Sequence, residues 1–343
     1  MADQAIDTTK LSAGAKAQSP FLPGTNIQFA WDSTSLGLFK TCPRLYAYTL
    51  IDGWEAKGES IHLRFGIEYH KALEDYDRSR ATGTSHEDSI RQSVGSLVLR
   101  TADWEVDEDS RAGKYKNSHS LRQLVIDYLD HFRDDPAKTY ILDNGKPAVE
   151  LSFRFELDFG PSRNNPGEFG YSPGQWALGV SQPYLLCGHL DRVVDFNDQL
   201  LVMDRKTTTT TPGEYYFRQY EPNNQMSLYT LAGKVVLNSP IKGVVIDAAQ
   251  VLIDKPNKFV RGFTYRTPAQ LEEWVQDLRI TLSVAESYAT EGYWPMNDTA
   301  CDKFGGCRFR DVCSKDPSVR ENFLKADFNK LEPEDRWNPL KPR

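Results

Sequence analysis

Residues 185–208 read LLCGHLDRVVDFNDQLLVMDRKTT, two apolar-rich runs separated by Phe196-Asn197-Asp198-Gln199. Asn and Asp tolerate the left-handed backbone of a tight turn, so the stretch predicts two antiparallel strands joined by a two-residue loop. Residues equally distant from that turn face each other, which sets Asp191 opposite Asp204 with Cβ atoms about 4.5–5.5 Å apart. A four-residue loop keeps this pairing, whereas a three- or five-residue loop shifts it by one. Two carboxylates opposed on a half-buried sheet repel each other unless a cation sits between them. Lys206 follows Asp204 by two residues, the period that returns strand side chains to one face. Two carboxylates and an amine thus converge on one point, and hard carboxylate oxygens suit magnesium or manganese. An isolated Asp-X-Lys is common on solvated strand edges, and it is the opposed Asp191, preceded by Gly188-His189-Leu190, that sets this one apart.

Outward from the hairpin, further strands are predicted over 148–159, 243–253 and 259–265, with a helix over 222–237. Residues 160–175 (GPSRNNPGEFGYSPGQ) read as a loop. A last long helix opens at Thr267, where Pro268 and Gln270 complete a capping-box signal, and runs to about 290. Upstream, helices are predicted over 33–50, broken or kinked at Pro43 just after Cys42, over 64–80 and over 118–134. A charged stretch without clear pattern lies between the last two. The 64–80 helix carries an apolar stripe of Phe65, Tyr69, Leu73 and Tyr76 and a second face of His70, Glu74 and Asp77. Residues 1–25 read as a flexible leader and 326–343 as a polar tail. The whole is an α/β chain with a mixed sheet flanked by helices, an N-terminal helical region over about 33–135, a core over about 148–290 and a small cysteine-rich C-terminal lobe over about 295–318.

The chain has 343 residues, 39% of them hydrophobic and 26% charged, which excludes the disordered and collagenous classes. No run of eighteen apolar residues occurs, which excludes a membrane-spanning helix. The first residues lack an apolar signal core, so a cytoplasmic, reducing setting is expected. The formal charge of −7 excludes a protein that holds nucleic acid by bulk positive charge alone. Five cysteines in a reducing setting are buried thiols or ligands rather than a disulfide framework. Cys301, Cys307 and Cys313 lie close together; Cys42 and Cys187 are distant.

These residues resemble the PD-(D/E)XK nuclease superfamily, and within it the RecB-like exonucleases that include AddB-type and CRISPR-associated members. The resemblance runs from about residue 33 to 313. Gly66 to Glu74 (GIEYHKALE) is similar to the family's first motif, Gly188 to Asp191 to its second, Asp204-Arg205-Lys206 to its (D/E)XK signature, and Gln225-Met226-Ser227-Leu228-Tyr229 to its QxxxY motif. The resemblance implies a restriction-endonuclease-like fold forming a single nuclease domain over 26–325. It also implies that His70, Asp191, Asp204 and the backbone carbonyl of Arg205 hold Mg or Mn, with Lys206 orienting or activating water. Gln225 and Tyr229 would position the water or the scissile nucleotide. Glu74 and Glu150 are candidates for supporting roles, and His189 is read as a bystander. A lone histidine is more often structural, and Gln225 with Tyr229 is equally the spacing of an ordinary helix-surface pair.

By the same resemblance, Cys42 in Thr41-Cys42-Pro43-Arg44 and the late Cys301, Cys307 and Cys313 are ligands of a 4Fe-4S cluster, with zinc as the alternative because four thiolates suit either. The family separates its last three cysteines by two and then five residues; here both gaps are five. Cys187 is left as a buried strand thiol. Arg308 and Arg310 are candidates for phosphate contact. The expected activity is that of a metal-dependent DNA exonuclease acting on a free or single-stranded end, in processing, recombination or repair. A catalytically idle accessory protein of the same fold, or a nuclease subunit assembled with a separate helicase, are the other readings. No GxxxxGK[ST] loop occurs in the chain, so an ATP-driven motor would be another polypeptide.

Overall fold

The computed structural model describes residues 19–58, 60–107, 109–157 and 184–341. Strand β1 (Ala30–Trp31) leads into α1 (Ser33–Thr41), whose N-cap is Asp32, joined to Ser35 in a reciprocal capping box. A residue before proline is driven out of helical backbone. Cys42 is accordingly extended (φ −162°), and the helix expected to break or kink at Pro43 is two, α1 and α2 (Pro43–Tyr46), the latter continued by a π-helical turn, Ala47–Ile51. Next come β2 (Trp54–Ala56), α3 (Ile61–Ala81), α4 (His86–Arg100) and α5 (Ser118–His131). The strands β3 (Lys138–Thr139), β4 (Val149–Glu156), β5 (Leu185–Phe196) and β6 (Gln199–Thr208) follow. The chain goes on through α6 (Glu214–Arg218), α7 (Asn224–Leu237), β7 (Gly243–Gln250), β8 (Lys258–Tyr265) and α8 (Pro268–Glu291). It closes with α9 (Arg310–Cys313), α10 (Arg320–Asp327) and β9 (Phe328–Lys330). The capping box expected at Thr267 and Gln270 is present at the start of α8.

Asn197 and Asp198 adopt φ of 53° and 59°, the left-handed pair that a two-residue hairpin turn requires. The ladder pairs Phe196 with Gln199 and continues to Arg192 with Met203, the register read from the sequence, in which Asp191 and Asp204 come next. Among the described residues this hairpin is the centre of a seven-stranded mixed sheet ordered β1-β5-β6-β7-β8, with β3 and β4 along the other side of β5. β6 runs parallel to β7, and α7 makes the crossover between them.

Alternate residues of β7 face two different layers. Val244 and Ile246 join the core built with α1, α7 and α8, whereas Ala249 joins the core of α3, α4 and α5. Each fully buried Leu or Val in these layers contributes about 1.5–3 kcal/mol. Gly233 lets α7 approach the sheet closely: a Cβ there would lie 3.1 Å from both Val202 and Ile241 side chains.

Three expectations need correction. Helix α4 occupies the stretch that had no clear pattern, because, beside Leu97 and His86, its buried positions are the small residues Ser89 and Ser93. Those small residues let α4 lie close to α3, with Ser93 Oγ donating to Ala72 O at 2.6 Å. The leader and tail are not simply polar ends. Leu22, Ile27 and Phe29 pack with Leu340, β9 pairs with β2, and Trp337 Nε1 donates to Asp32 at 3.1 Å. Residues 1–18 of the expected leader and the loop over 160–175 lie outside the described residues. No helix among those described is long and apolar enough to cross a membrane.

Candidate active site

The pairing of β5 with β6 stops at Arg192 and Met203. Beyond that point β5 takes β1 as its neighbour, through Leu185 and Leu186, while β6 continues along β7. The two strands therefore fork, and Asp191 and Asp204 stand where they part. Asp191 Oδ2 accepts a hydrogen bond from the Arg205 amide at 3.0 Å, so its carboxylate occupies the gap the ladder has vacated. Helix α3 reaches this gap from one layer and α7 from the other.

From α3, His70 Nδ1 lies 3.2 Å from Asp191 Oδ2. Lys206 Nζ donates to Asp204 Oδ1 at 3.0 Å, lies 2.8 Å from its Oδ2, and donates to Gln225 Oε1 of α7 at 3.1 Å. Gln225 Nε2 in turn donates to Tyr229 Oη at 3.1 Å. The sequence pair at i, i+4 is thus a relay that holds the lysine. Asp191 and Asp204 are both buried, yet their acidities move in opposite directions. Burial disfavours the charge on Asp191, but His70, Lys206 and the Arg205 amide outweigh it and hold the carboxyl well below the usual carboxylate range. Burial raises the pKa of Asp204, Lys206 lowers it and the neighbouring Asp191 raises it; the net direction is up. Burial works against charge on Lys206 and His70 as well. Asp204 and Asp191 outweigh it for Lys206, and Asp191 does so for His70, so both pKa values rise.

Glu150 comes into the same place. It lies between the ladder pairs Val149–Arg192 and Leu151–Leu190, opposite Asp191, and its φ of 50° interrupts the strand's alternation. Ligand atoms of His70, Glu150 and Asp191 all lie within 4.8 Å of one another. Glu74 does not join them: it pairs along α3 with Lys71 at 2.8 Å and Arg78 at 2.9 Å, and Arg78 reaches the Val149 carbonyl at 3.4 Å. His189 Nδ1 lies 2.8 Å from Ser152 Oγ across the β4–β5 ladder. The sequence motif Gly188 has a packing reason, since a Cβ there would sit 2.7 Å from the Phe153 ring.

Sequence reasoning did not single out Tyr216 on α6, whose phenol accepts from Tyr220 Oη at 3.4 Å and is pushed up by burial and by Tyr220. Its signal was the aromatic run EYYFRQY over 214–220, directly after β6. It also left unassigned the side chains of the arginines that follow each carboxylate, Arg192 and Arg205, both buried.

The four proposed cysteine ligands, one early and three late in the chain, line a single cavity together with Thr41, Leu45, Asn297 and Phe309. None is in a disulfide. The Asn297 amide donates to Cys42 Sγ at 3.3 Å, and the Cys307 amide to the Cys301 carbonyl at 2.8 Å. Cys187 is buried in β5, and burial pushes its thiol up to about 12. Arg310 is paired with Asp302, and the Arg308 guanidinium lies 5.5 Å from the Phe309 ring centre.

A mixed sheet forked around two carboxylates and a lysine, with helices on both faces, defines the carboxylate–lysine class of α/β proteins. Residues 31–314 match the family model of the PD-(D/E)XK nuclease superfamily, and the chain belongs to that superfamily. A crystal structure from Eubacterium rectale described as "Putative exonuclease" shares 12% identity over 86% of this chain and 92% of that one, with a TM-score of 0.47; a likeness at that level carries no functional weight. No curated protein matches the chain.

Proposed function

We propose that this protein is a divalent-metal-dependent nuclease that hydrolyses phosphodiester bonds in DNA, as an exonuclease acting from a free or single-stranded end. The observation that carries the reading is the convergence of His70, Glu150 and Asp191 at the fork that also holds Asp204 and Lys206. The donor set fits a small hard cation: carboxylates from three adjacent strands and one imidazole. Burial and then the neighbouring Asp191 raise the pKa of Asp204, a cost that a cation beside the pair relieves. Asp191, Asp204, His70 and the Arg205 carbonyl would hold Mg or Mn, with Glu150 completing the set. The metal, when bound, supplies Lewis-acid stabilisation of charge developing on the phosphate. Lys206, cationic and fixed between Asp204 and Gln225, neutralises charge at the same phosphate and orients water. Tyr229 fixes Gln225, and Asp191 fixes the ring of His70.

Digestion of 5′- and 3′-labelled single- and double-stranded DNA, with Mg, with Mn and with chelator, tests the reading. Cleavage is expected only with metal, and Asp204→Asn or Lys206→Met should reduce it by about three orders of magnitude or more while the fold persists. Undiminished cleavage in either folded variant overturns the assignment, and a parent that binds DNA without cutting it favours an accessory protein.

Cys42, Cys301, Cys307 and Cys313 are proposed to hold a 4Fe-4S cluster. The observation behind this reading is that the four cysteines line one cavity; four thiolates suit a cluster, and equally suit zinc. Iron and sulfide analysis of anaerobically purified protein tests it; one equivalent of zinc without iron overturns it.

A further inference from the structure

We propose that Asp77 is a positioning residue that sets where His70 meets Asp191, by accepting the two arginines that follow the paired carboxylates. The inference rests on the metal-nuclease reading of the fork. Asp191 is followed by Arg192 and Asp204 by Arg205. Strand alternation turns these arginines away from the carboxylates, toward the layer of α3 and α5. There both meet one acid: Arg205 Nη2 lies 2.7 Å from Asp77 Oδ2, and Arg192 Nη1 lies 3.7 Å from Asp77 Oδ1. Asp77 follows His70 by seven residues on α3, two turns along the same side of the helix.

All three charged groups are buried, at 3% exposure for Asp77, 2% for Arg205 and 7% for Arg192. Leaving any of them without a partner is strongly unfavourable. The arginines are not free to follow a moving helix. Arg192 also donates to Ala137 O and to Thr139 Oγ1, each at 2.9 Å, and the Arg205 guanidinium stands 5.8 Å from the Tyr128 ring centre. Neighbouring acids have another cation: Arg261 forks Asp135 at 2.6 and 2.8 Å and lies 3.3 Å from Asp247, although Asp135 is also 3.8 Å from Arg192. Shifting α3 by one residue would move it about 1.5 Å and turn it about 100°, removing Asp77 from both arginines. The setting that satisfies both is the one that brings His70 to Asp191. Asp77 therefore keys the helix that carries the imidazole to both strands that carry the carboxylates.

The test is a double-mutant cycle on the full chain, freed of divalent metal, with Mn²⁺ binding measured by calorimetry beside DNA cleavage. Asp77→Asn is expected to weaken Mn²⁺ binding about 10–100-fold, the range typical for groups that orient a ligand, with the Mn²⁺ concentration for half-maximal cleavage rising in step and KM for DNA unchanged. If Asp77 acts through His70, Asp77→Asn adds no further loss in a His70→Ala background. Additive losses in the double variant, or a lowered Tm with Mn²⁺ binding intact, overturn the proposal. Should Asp77→Asn fail to fold, Arg205→Lys, which keeps the charge but loses the fork, goes through the same cycle and decides. A parent that binds Mn²⁺ yet cleaves nothing overturns the nuclease reading and leaves the positioning inference to the binding cycle; a parent that binds no Mn²⁺ overturns both.

Discussion

Among the described residues, the non-glycine positions in left-handed backbone are Asn197, Asp198, Asn238, Asp254 and Glu150. Four of the five are Asn or Asp, the residue types that tolerate it. Glu150 is the outlier, and it is the one whose carboxylate approaches His70 and Asp191. Left-handed backbone costs a residue with a Cβ about 1–2 kcal/mol, and such strain persists at sites where it re-aims a functional group. Glu150→Gly is therefore expected to stabilise the metal-free protein by about 1 kcal/mol while weakening metal-dependent cleavage by about tenfold or more. Thermal melts and labelled-DNA digestion check the two halves separately; a fall in Tm would mean that the side chain's contacts outweigh the backbone strain. In the sequence Glu150 was one acid near a strand start. Its importance depends on a backbone angle that no residue pattern announces.

At the scale of elements, the site depends on strands held in fixed register. Gly188 lies under the Phe153 ring, so Gly188→Ala is expected to push β4 from β5 and destabilise the chain by about 1–3 kcal/mol, as overpacking does, with cleavage reduced because Glu150 moves with β4. A chemical denaturation series measures the first effect; an unchanged midpoint would show that the ring rotates away at little cost. Arg261 of β8 is tied to Asp135, in the segment between α5 and β3. Burial works against charge on Asp135, but the hydrogen bonds and charge of Arg261 outweigh it and lower its pKa. A depressed carboxylate stabilises the folded state above its unfolded pKa of about 3.9 and loses that contribution as pH falls toward the folded value. Between roughly pH 5 and 3, Tm of the parent is expected to fall more steeply than that of Asp135→Asn. Parallel slopes in scanning calorimetry would remove the pair from the acid response. Helix periodicity made α3, α5, α7 and α8 legible, and the turn chemistry of Asn197-Asp198 made the hairpin register legible. Helix α4 was hidden because Ser89 and Ser93 interrupt the buried face that Leu97 completes.

On the scale of the whole molecule, the α1–α2 junction meets the C-terminal lobe at the cysteine-lined cavity, with Arg44 N donating to Pro295 O at 3.1 Å and Asn297 Nδ2 to Thr41 O at 2.8 Å. The proposed cluster would clasp a long loop there and stabilise mainly by restricting the unfolded chain. Cys42→Ser is expected to lower stability by about 2 kcal/mol or more, seen as a Tm loss of roughly 3 °C or more, and to raise hydrogen exchange in the 295–330 segment. Equal exchange in parent and variant would show that packing of Trp54, Phe309 and Phe328 is enough to hold the lobe.

By itself the sequence determined the α/β class, the hairpin and the register that brings Asp191 and Asp204 next after its last pair, because strand alternation and turn geometry are local rules that a short stretch can satisfy alone. It did not determine that β5 and β6 part just past Arg192 and Met203, that Glu150 turns into the gap, that one buried Asp77 takes both arginines, or that four cysteines share a cavity. Those features arise from contacts between segments far apart in the chain, and only the packing of helices on both faces of the sheet decides which buried charges meet.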